Sequence, residues 1–219
     1  MPVANHRPTQ FAIMRHAPTE WNRQGRIQGQ QDSPLTPAGQ GLIASWCRHL
    51  SGVGLSRIIS SDLGRAKATA GRLGASLKLP LSVDRRLREQ DWGQWTGKRH
   101  RQLKQEARHE YRRQAARGWF FQPPGGESHL QVLERGLAAL QDIAAAHPGE
   151  RLLLVTHEGW MKCLLYHLAI RDGCGHKPVS MAPYHLHRLI ITRDQLVLDR
   201  VNWLDLMAAP SNDGRPAAG

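Results

Sequence analysis

Apolar residues fall into two rhythms along this chain. One consists of short unbroken blocks: Phe11-Ala12-Ile13-Met14, Ile58-Ile59 and Leu152-Leu153-Leu154-Val155. Such runs between polar and turn-forming residues predict strands at residues 9–15, 57–60 and 151–156, the last being the clearest in the chain. A shorter candidate covers residues 81–84, and residues 187–192 and 196–202 read as a hairpin turning at Arg193-Asp194-Gln195.

The other rhythm has helical period. Thr36 as cap with Pro37 at the first helical position starts a helix that reaches about residue 50, where Gly52 and Gly54 end it. Asp62 is expected to cap a second helix running to about residue 77. Residues 85–97 are irregular and rich in Trp and Gly. After them Leu103, Ala107, Tyr111 and Ala115 recur every four residues, so the segment 98–117 reads as helical. Pro123-Pro124-Gly125-Gly126 breaks the chain before a helix at about residues 127–146, and another follows at about residues 159–170. Strands alternating with helices predict an α/β fold: three layers, α/β/α, around a mostly parallel central sheet. Residues 1–206 are expected to form one domain, and the small and polar residues 207–219 a flexible tail.

Composition narrows the setting. A chain of 219 residues, 40% of them apolar, suits one domain with a substantial core. No stretch approaches the roughly 20 continuous apolar residues of a membrane span, so no membrane partner is expected. Residues Met1 to Pro8 lack the apolar core of a secretory signal. Cys47, Cys163 and Cys174, odd in number and irregularly spaced, argue against a disulfide framework and for a reducing cytoplasm. Oligomeric state is not readable from any of this.

Charge adds a partner class. The net charge of +12 implies anionic partners. Between Lys98 and Arg117 eight basic residues stand against Glu106 and Glu110, a local excess of +6 and half of the total. This segment steers anionic ligands or is an ordinary solvated face; nucleic acid is the less favoured occupant.

Candidate chemistry gathers at strand ends. The first strand stops on Arg15-His16, the second leads through Ser60-Ser61-Asp62 to Arg65, and the strand at 151–156 stops on His157. In open α/β sheets, ligands bind beyond the carboxyl ends of the strands. Parallel neighbours would bring two histidines and two arginines into one crevice, a cluster that repels itself unless a dianion fills it. Taken singly, each of these residues has an ordinary structural explanation. Their order and spacing together do not.

The segment Met14-Arg15-His16-Ala17-Pro18-Thr19-Glu20-Trp21-Asn22 resembles the Arg-His-Gly motif of the histidine phosphatase superfamily, which includes the phosphoglycerate mutases. The likeness continues through Gly25-Arg26-Ile27-Gln28-Gly29 and Asp32-Ser33-Pro34-Leu35-Thr36, and spans roughly residues 9–170. It implies that His16 is the nucleophile of a phosphohistidine intermediate. Arg15, Arg65 and His157 would grip the phosphoryl oxygens, and Asn22 would assist. The loop Leu87-Arg88-Glu89-Gln90-Asp91-Trp92-Gly93 resembles the family's acid-bearing loop, with Glu89 as proton donor to the leaving alcohol and Asp91 as its rival. The resemblance also places the segment at about residues 98–122 over the active site as a helical insertion. The chemistry it implies requires no metal and no organic cofactor.

The implied activity is hydrolysis of a small anionic phosphorylated metabolite. Phosphoglycerate mutase-type transfer, or a non-catalytic anion- or RNA-binding protein on the same scaffold, are the alternatives. Two positions depart from the family pattern: Ala17 replaces a glycine, and Glu158 stands where a glycine is usual. A carboxylate aimed at the phosphate would weaken binding, so Glu158 is expected to turn its side chain away. Cys174, His176, His185 and His187 match no standard zinc spacing, and the two late histidines read as polar-face strand residues. Gly125-Gly126-Glu127-Ser128 is expected to be structural, with Ser128 near a helix start. Trp92, Trp95, Trp119 and Phe120 line a substrate pocket or pack the insertion, packing being favoured.

Overall fold

Side chains alternate along a strand, and here that alternation builds the layers. The computed structural model describes residues 7–172, 179–192 and 195–209. In chain order its elements are β1 (Thr9–Arg15), α1 (Glu20–Arg23), α2 (Pro37–Leu50), β2 (Arg57–Ser60), α3 (Gly64–Leu77), β3 (Leu81–Val83), α4 (His100–Glu106), α5 (Arg108–Ala115), α6 (His129–Ala146), β4 (Arg151–Thr156), α7 (Glu158–Arg171), β5 (His185–Thr192) and β6 (Gln195–Asp205). They form one six-stranded sheet in the order β3-β2-β4-β1-β5-β6. From β3 to β1 every neighbour is parallel, while β5 and β6 add on antiparallel.

Phe11 and Ile13 of β1 join Leu152 and Leu154 of β4 against Leu140 of α6 and Leu164 and Leu168 of α7. Ala12 and Met14, on the opposite face, join Leu153 and Val155 against Ile43 and Trp46 of α2 and Ala70 and Leu73 of α3. The central strands are therefore covered on both sides, which is why their sequences are unbroken apolar runs. The expected three-layer α/β/α architecture is the one found. A third, small cluster of Ile27, Trp95, Leu103 and Phe121, backed by Trp92, Ala107 and Tyr111, holds the insertion together.

Several boundaries differ from the sequence reading. Asp62 does not cap α3: Arg88 takes both of its oxygens at 2.7 and 2.6 Å. The cap comes from Asp32, far away in sequence, whose carboxylate accepts the Gly64 and Arg65 N–H groups at 2.6 and 3.2 Å. The basic segment is two short helices, α4 and α5, broken at Ala107 (φ −114°, ψ 33°). That break leaves Ala115 exposed, off the apolar face it was expected to share. Helix α6 begins at His129, because Ser128 caps it through the Gln131 N–H, a reciprocal capping box. Among the described residues no helix is long and apolar enough to cross a membrane. Residues 1–6 and 210–219, the turn residues Arg193 and Asp194, and the metal-set candidates Cys174 and His176 lie outside the described residues.

The register places three strand ends side by side. Arg15 pairs with Thr156 across β1 and β4. The His16 N–H donates to the Thr156 carbonyl at 3.0 Å, and the Ser61 N–H donates to the Val155 carbonyl at 3.0 Å. His16, His157 and the turn into α3 consequently leave the sheet along one edge.

Candidate active site

His16 is buried, and its ring has two partners. The Nδ1–H donates to the Ala17 carbonyl at 2.8 Å, so Nε2 keeps its lone pair. The Arg65 Nε–H points at that lone pair from 3.2 Å. Burial, then the charges of Arg15 and Arg65, hold the imidazole well below the ordinary histidine pKa. Ala17, the departure from the family's glycine, is itself buried, and its N–H donates to Thr69 Oγ1 at 3.0 Å.

Arg65 reaches this point from the first turn of α3 and is only 2% exposed. Its Nη2 donates to the Gly29 carbonyl at 2.7 Å, and its Nη1 donates to the Gln31 carbonyl at 2.6 Å and to Asp32 Oδ1 at 3.0 Å. Asp32 thus fixes both the start of the helix and the guanidinium that the helix carries. The sequence offered no local sign of this role, since the carboxylate and the helix it caps are joined only by the fold.

His157, the N-cap of α7, is fully buried, and its ring centroid lies 5.1 Å from that of His16. Neither of its ring nitrogens has a hydrogen-bond partner among the described residues. Burial comes first in holding it neutral, followed by the charge of Arg65 and, further down, those of Arg15 and Arg135. A buried imidazole with two unmet ring nitrogens beside a second neutral imidazole is costly to build. Such unmet groups recur where a ligand supplies the missing partner.

Glu89 sits at the N-terminus of α7. Its carboxylate accepts the Gly159 N–H at 3.1 Å, the Trp160 N–H at 3.1 Å and the adjacent Gln90 N–H at 2.9 Å. Helix N-termini attract anions because their first N–H groups have no partner within the helix. Arg135, on α6, ties down the loop behind it by donating to the carbonyls of Arg86, Arg88 and Glu89 at 2.6, 2.8 and 3.0 Å. Glu127 completes the brace, bonded to Arg135 at 2.9 Å and to the Asp91 N–H at 2.9 Å. Sequence reading missed Arg135 altogether. Gly126 serves the same loop: a Cβ there would stand 2.4 Å from the Asp91 carbonyl oxygen.

Arg15 and Glu158 depart from expectation. The Glu158 side chain does not turn away; it accepts from Arg15 Nη1 at 2.5 Å and is also paired with Lys162. Burial works to raise its pKa, but Arg15 and Lys162 outweigh that and hold the carboxyl below its usual range. Asn22 belongs to a capping box, its amide oxygen accepting the Thr19 N–H at 3.1 Å, which leaves its NH₂ end for an anion.

Two cavities meet at this point, both lined by Arg15, His16, Asn22 and Glu158. The larger, about 780 Å³, adds Arg65, Glu89 and the aromatic side chains of Trp92, Tyr111, Trp119 and Phe121, the last three from the segment 98–122. The other, about 680 Å³, runs along Leu42, Trp46, Met161 and Tyr184. Of the four aromatic candidates, Trp92 and Trp119 line the larger cavity, Trp95 is buried in the insertion's own core, and Phe120 is exposed. His185 and His187 line the smaller cavity, and His187 is buried with its Nδ1 accepting the Asn202 N–H at 3.1 Å. No cluster of metal-ligating side chains occurs among the described residues. Cys163 also borders the larger cavity, but burial pushes its thiol up to about 12, so it stays protonated.

Three comparisons place these features among known proteins. The sequence pattern of the histidine phosphatase superfamily (branch 1) matches residues 11–204. A probable phosphoglycerate mutase, GpmB of Cronobacter sakazakii, is 38% identical over 157 residues, 71% of this chain and 73% of the relative. Among solved structures, a mycobacterial glucosyl-3-phosphoglycerate phosphatase in complex with VO3 superposes with a TM-score of 0.75 at 29% identity, covering 88% of this chain and 98% of that one. Bacillus stearothermophilus YhfR gives a TM-score of 0.75 at 31% identity over 88% of this chain and 96% of its own.

Proposed function

This chain belongs to the histidine phosphatase superfamily, and from that premise we propose that it hydrolyses phosphomonoesters through a phosphohistidine on His16. The observation that carries this reading is the pair of buried neutral imidazoles, 5.1 Å apart. One has its Nε2 lone pair faced by Arg65, and the other has two unmet ring nitrogens. A phosphoryl group supplies what both lack: an electrophile for Nε2, and oxygens for the N–H groups of Arg65 and His157.

In the first step the His16 Nε2 lone pair forms the bond to phosphorus, and the bond to the ester oxygen breaks. Arg65 passes its N–H from Nε2 to a phosphoryl oxygen as this happens. The leaving alkoxide takes a proton from Glu89. The Ala17 carbonyl, accepting from Nδ1–H, supports the positive charge that the phosphorylated ring acquires. In the second step water attacks phosphorus, its proton returns to Glu89, and Nε2 leaves with its lone pair. Arg15, Asn22 and His157 bind the phosphoryl oxygens throughout.

The substrate fitting this site is a small phosphorylated metabolite whose alcohol lies under the insertion, against Trp92, Tyr111 and Phe121. The likeness to a solved glucosyl-3-phosphoglycerate phosphatase supports hydrolysis. The likeness to a relative named a probable phosphoglycerate mutase favours a second reading, return of the phosphoryl group to another hydroxyl. One experiment separates them: a phosphomonoester panel including 3-phosphoglycerate, followed by phosphorus NMR between pH 5 and 8. Released inorganic phosphate is expected, falling by at least about 10³-fold in His16→Ala. Glu89→Gln should slow esters of poor leaving alcohols far more than p-nitrophenyl phosphate. Substantial hydrolysis by His16→Ala would remove His16 from its role, and 2-phosphoglycerate without free phosphate would mean a mutase.

A further inference from the structure

The reaction outlined above has no use for Glu158, yet this carboxylate stands at the junction of the two cavities. It holds the one hydrogen bond that the Arg15 side chain makes among the described residues. We propose that Glu158 is an internal competitor for the phosphoryl site. It occupies Arg15 in the resting protein, yields Arg15 to the phosphoryl oxygens on binding, and so sets the affinity of the site for dianions. The proposal rests on the phosphatase reading and adds to it a residue that tunes binding without taking part in the chemistry.

Three features support the exchange. Glu158 follows His157 directly at the first position of α7, so its side chain starts from the mouth of the site and reaches Arg15 there. Lys162, one turn later, holds the other carboxylate oxygen, in the favourable order of glutamate four residues before lysine. When Arg15 swings to a phosphoryl oxygen, Glu158 therefore keeps a partner and no lone charge is left behind. The Arg15–Glu158 pair is also about two-fifths exposed on both sides, with side-chain exposures of 43% and 38%, which keeps its bond exchangeable.

A purely structural role predicts the opposite behaviour. If Glu158 only oriented Arg15, its removal would loosen the guanidinium and weaken anion binding. Competition predicts tighter binding. The test is calorimetric titration of the whole protein with inorganic phosphate and with orthovanadate, for wild type, Glu158→Gln, Lys162→Met and the double variant. Glu158→Gln should bind both anions roughly two- to fivefold more tightly, the scale of a partly exposed ion pair. Lys162→Met should bind them more weakly, because the carboxylate then grips Arg15 harder, and should add nothing in the Glu158→Gln background.

Wild-type binding that is unchanged or weakened by Glu158→Gln would overturn the competition and leave the phosphatase reading standing. Weakening by Lys162→Met in both backgrounds would overturn the part given to Lys162. Failure of every variant, wild type included, to bind either anion would overturn the phosphate site itself and this proposal with it.

Discussion

His157 shows what a single residue costs when its surroundings refuse it a proton. In the unfolded chain its imidazole titrates near 6.5; in the folded protein, burial and the nearby cations hold it well below that, and His16 behaves alike. Below pH 6.5 the unfolded state therefore binds more protons than the folded one, and stability falls as pH drops, until the depressed folded pKa values are reached. Thermal melts are expected to shift downward between pH 7 and pH 5, and His157→Asn should flatten that dependence. An unchanged slope in the variant would assign the acid sensitivity to other groups. His16 and His157 were legible in the sequence because a polar residue immediately after a buried apolar run must emerge at a sheet edge. Asp32 was not, because its capping of α3 joins residues that only the folded loop brings together. Glu158 was noticed as an anomaly, but the direction of its side chain depends on Arg15 and Lys162, whose positions local pattern does not fix.

At the scale of elements, the acid-bearing loop and the start of α7 are built around each other. Gly159 marks the closest approach: a Cβ there would lie 2.4 Å from Glu89 Oε1. Gly159→Ala should push the carboxylate off its backbone donors and lower kcat by roughly 10- to 100-fold. The loss should be largest for poor leaving alcohols, with the circular dichroism spectrum unchanged. Equal loss for good and poor leaving groups would mean that the substitution disturbs something other than proton donation. Most elements were readable from strand blocks and capping signals. The insertion was less so, since the four-residue rhythm of Leu103, Ala107 and Tyr111 continues smoothly across Ala107. There the structure closes one helix and opens the next so that all three can reach the small cluster of Trp95, Phe121 and Ile27.

For the molecule as a whole, half of the excess positive charge lies on the segment from Lys98 to Arg117, which lends Tyr111 to the lining of the larger cavity. Arg99, Arg101, Arg108, Arg112, Arg113 and Arg117 are all exposed on or beside α4 and α5. Under the proposed phosphatase reading, this charge attracts a dianionic ester toward the larger cavity. The expected sign is a several-fold fall in kcat/KM between about 0.01 M and 1 M salt, as the screening length shrinks from about 30 Å to about 3 Å. kcat should change little. Replacing Arg108, Arg112 and Arg113 with glutamine should remove most of that salt dependence, and its persistence would place the steering elsewhere.

The sheet order also has a consequence in time. β1 leads directly into His16 and finds its partners only in β4 and β5, at residues 151–156 and 185–192. A ribosome adding ~5–20 residues per second needs on the order of ten seconds to deliver them after β1 has been made. Throughout that interval Phe11-Ala12-Ile13-Met14 is an apolar strand with both edges open. That exposure during synthesis is an aggregation hazard that follows from the order of the strands.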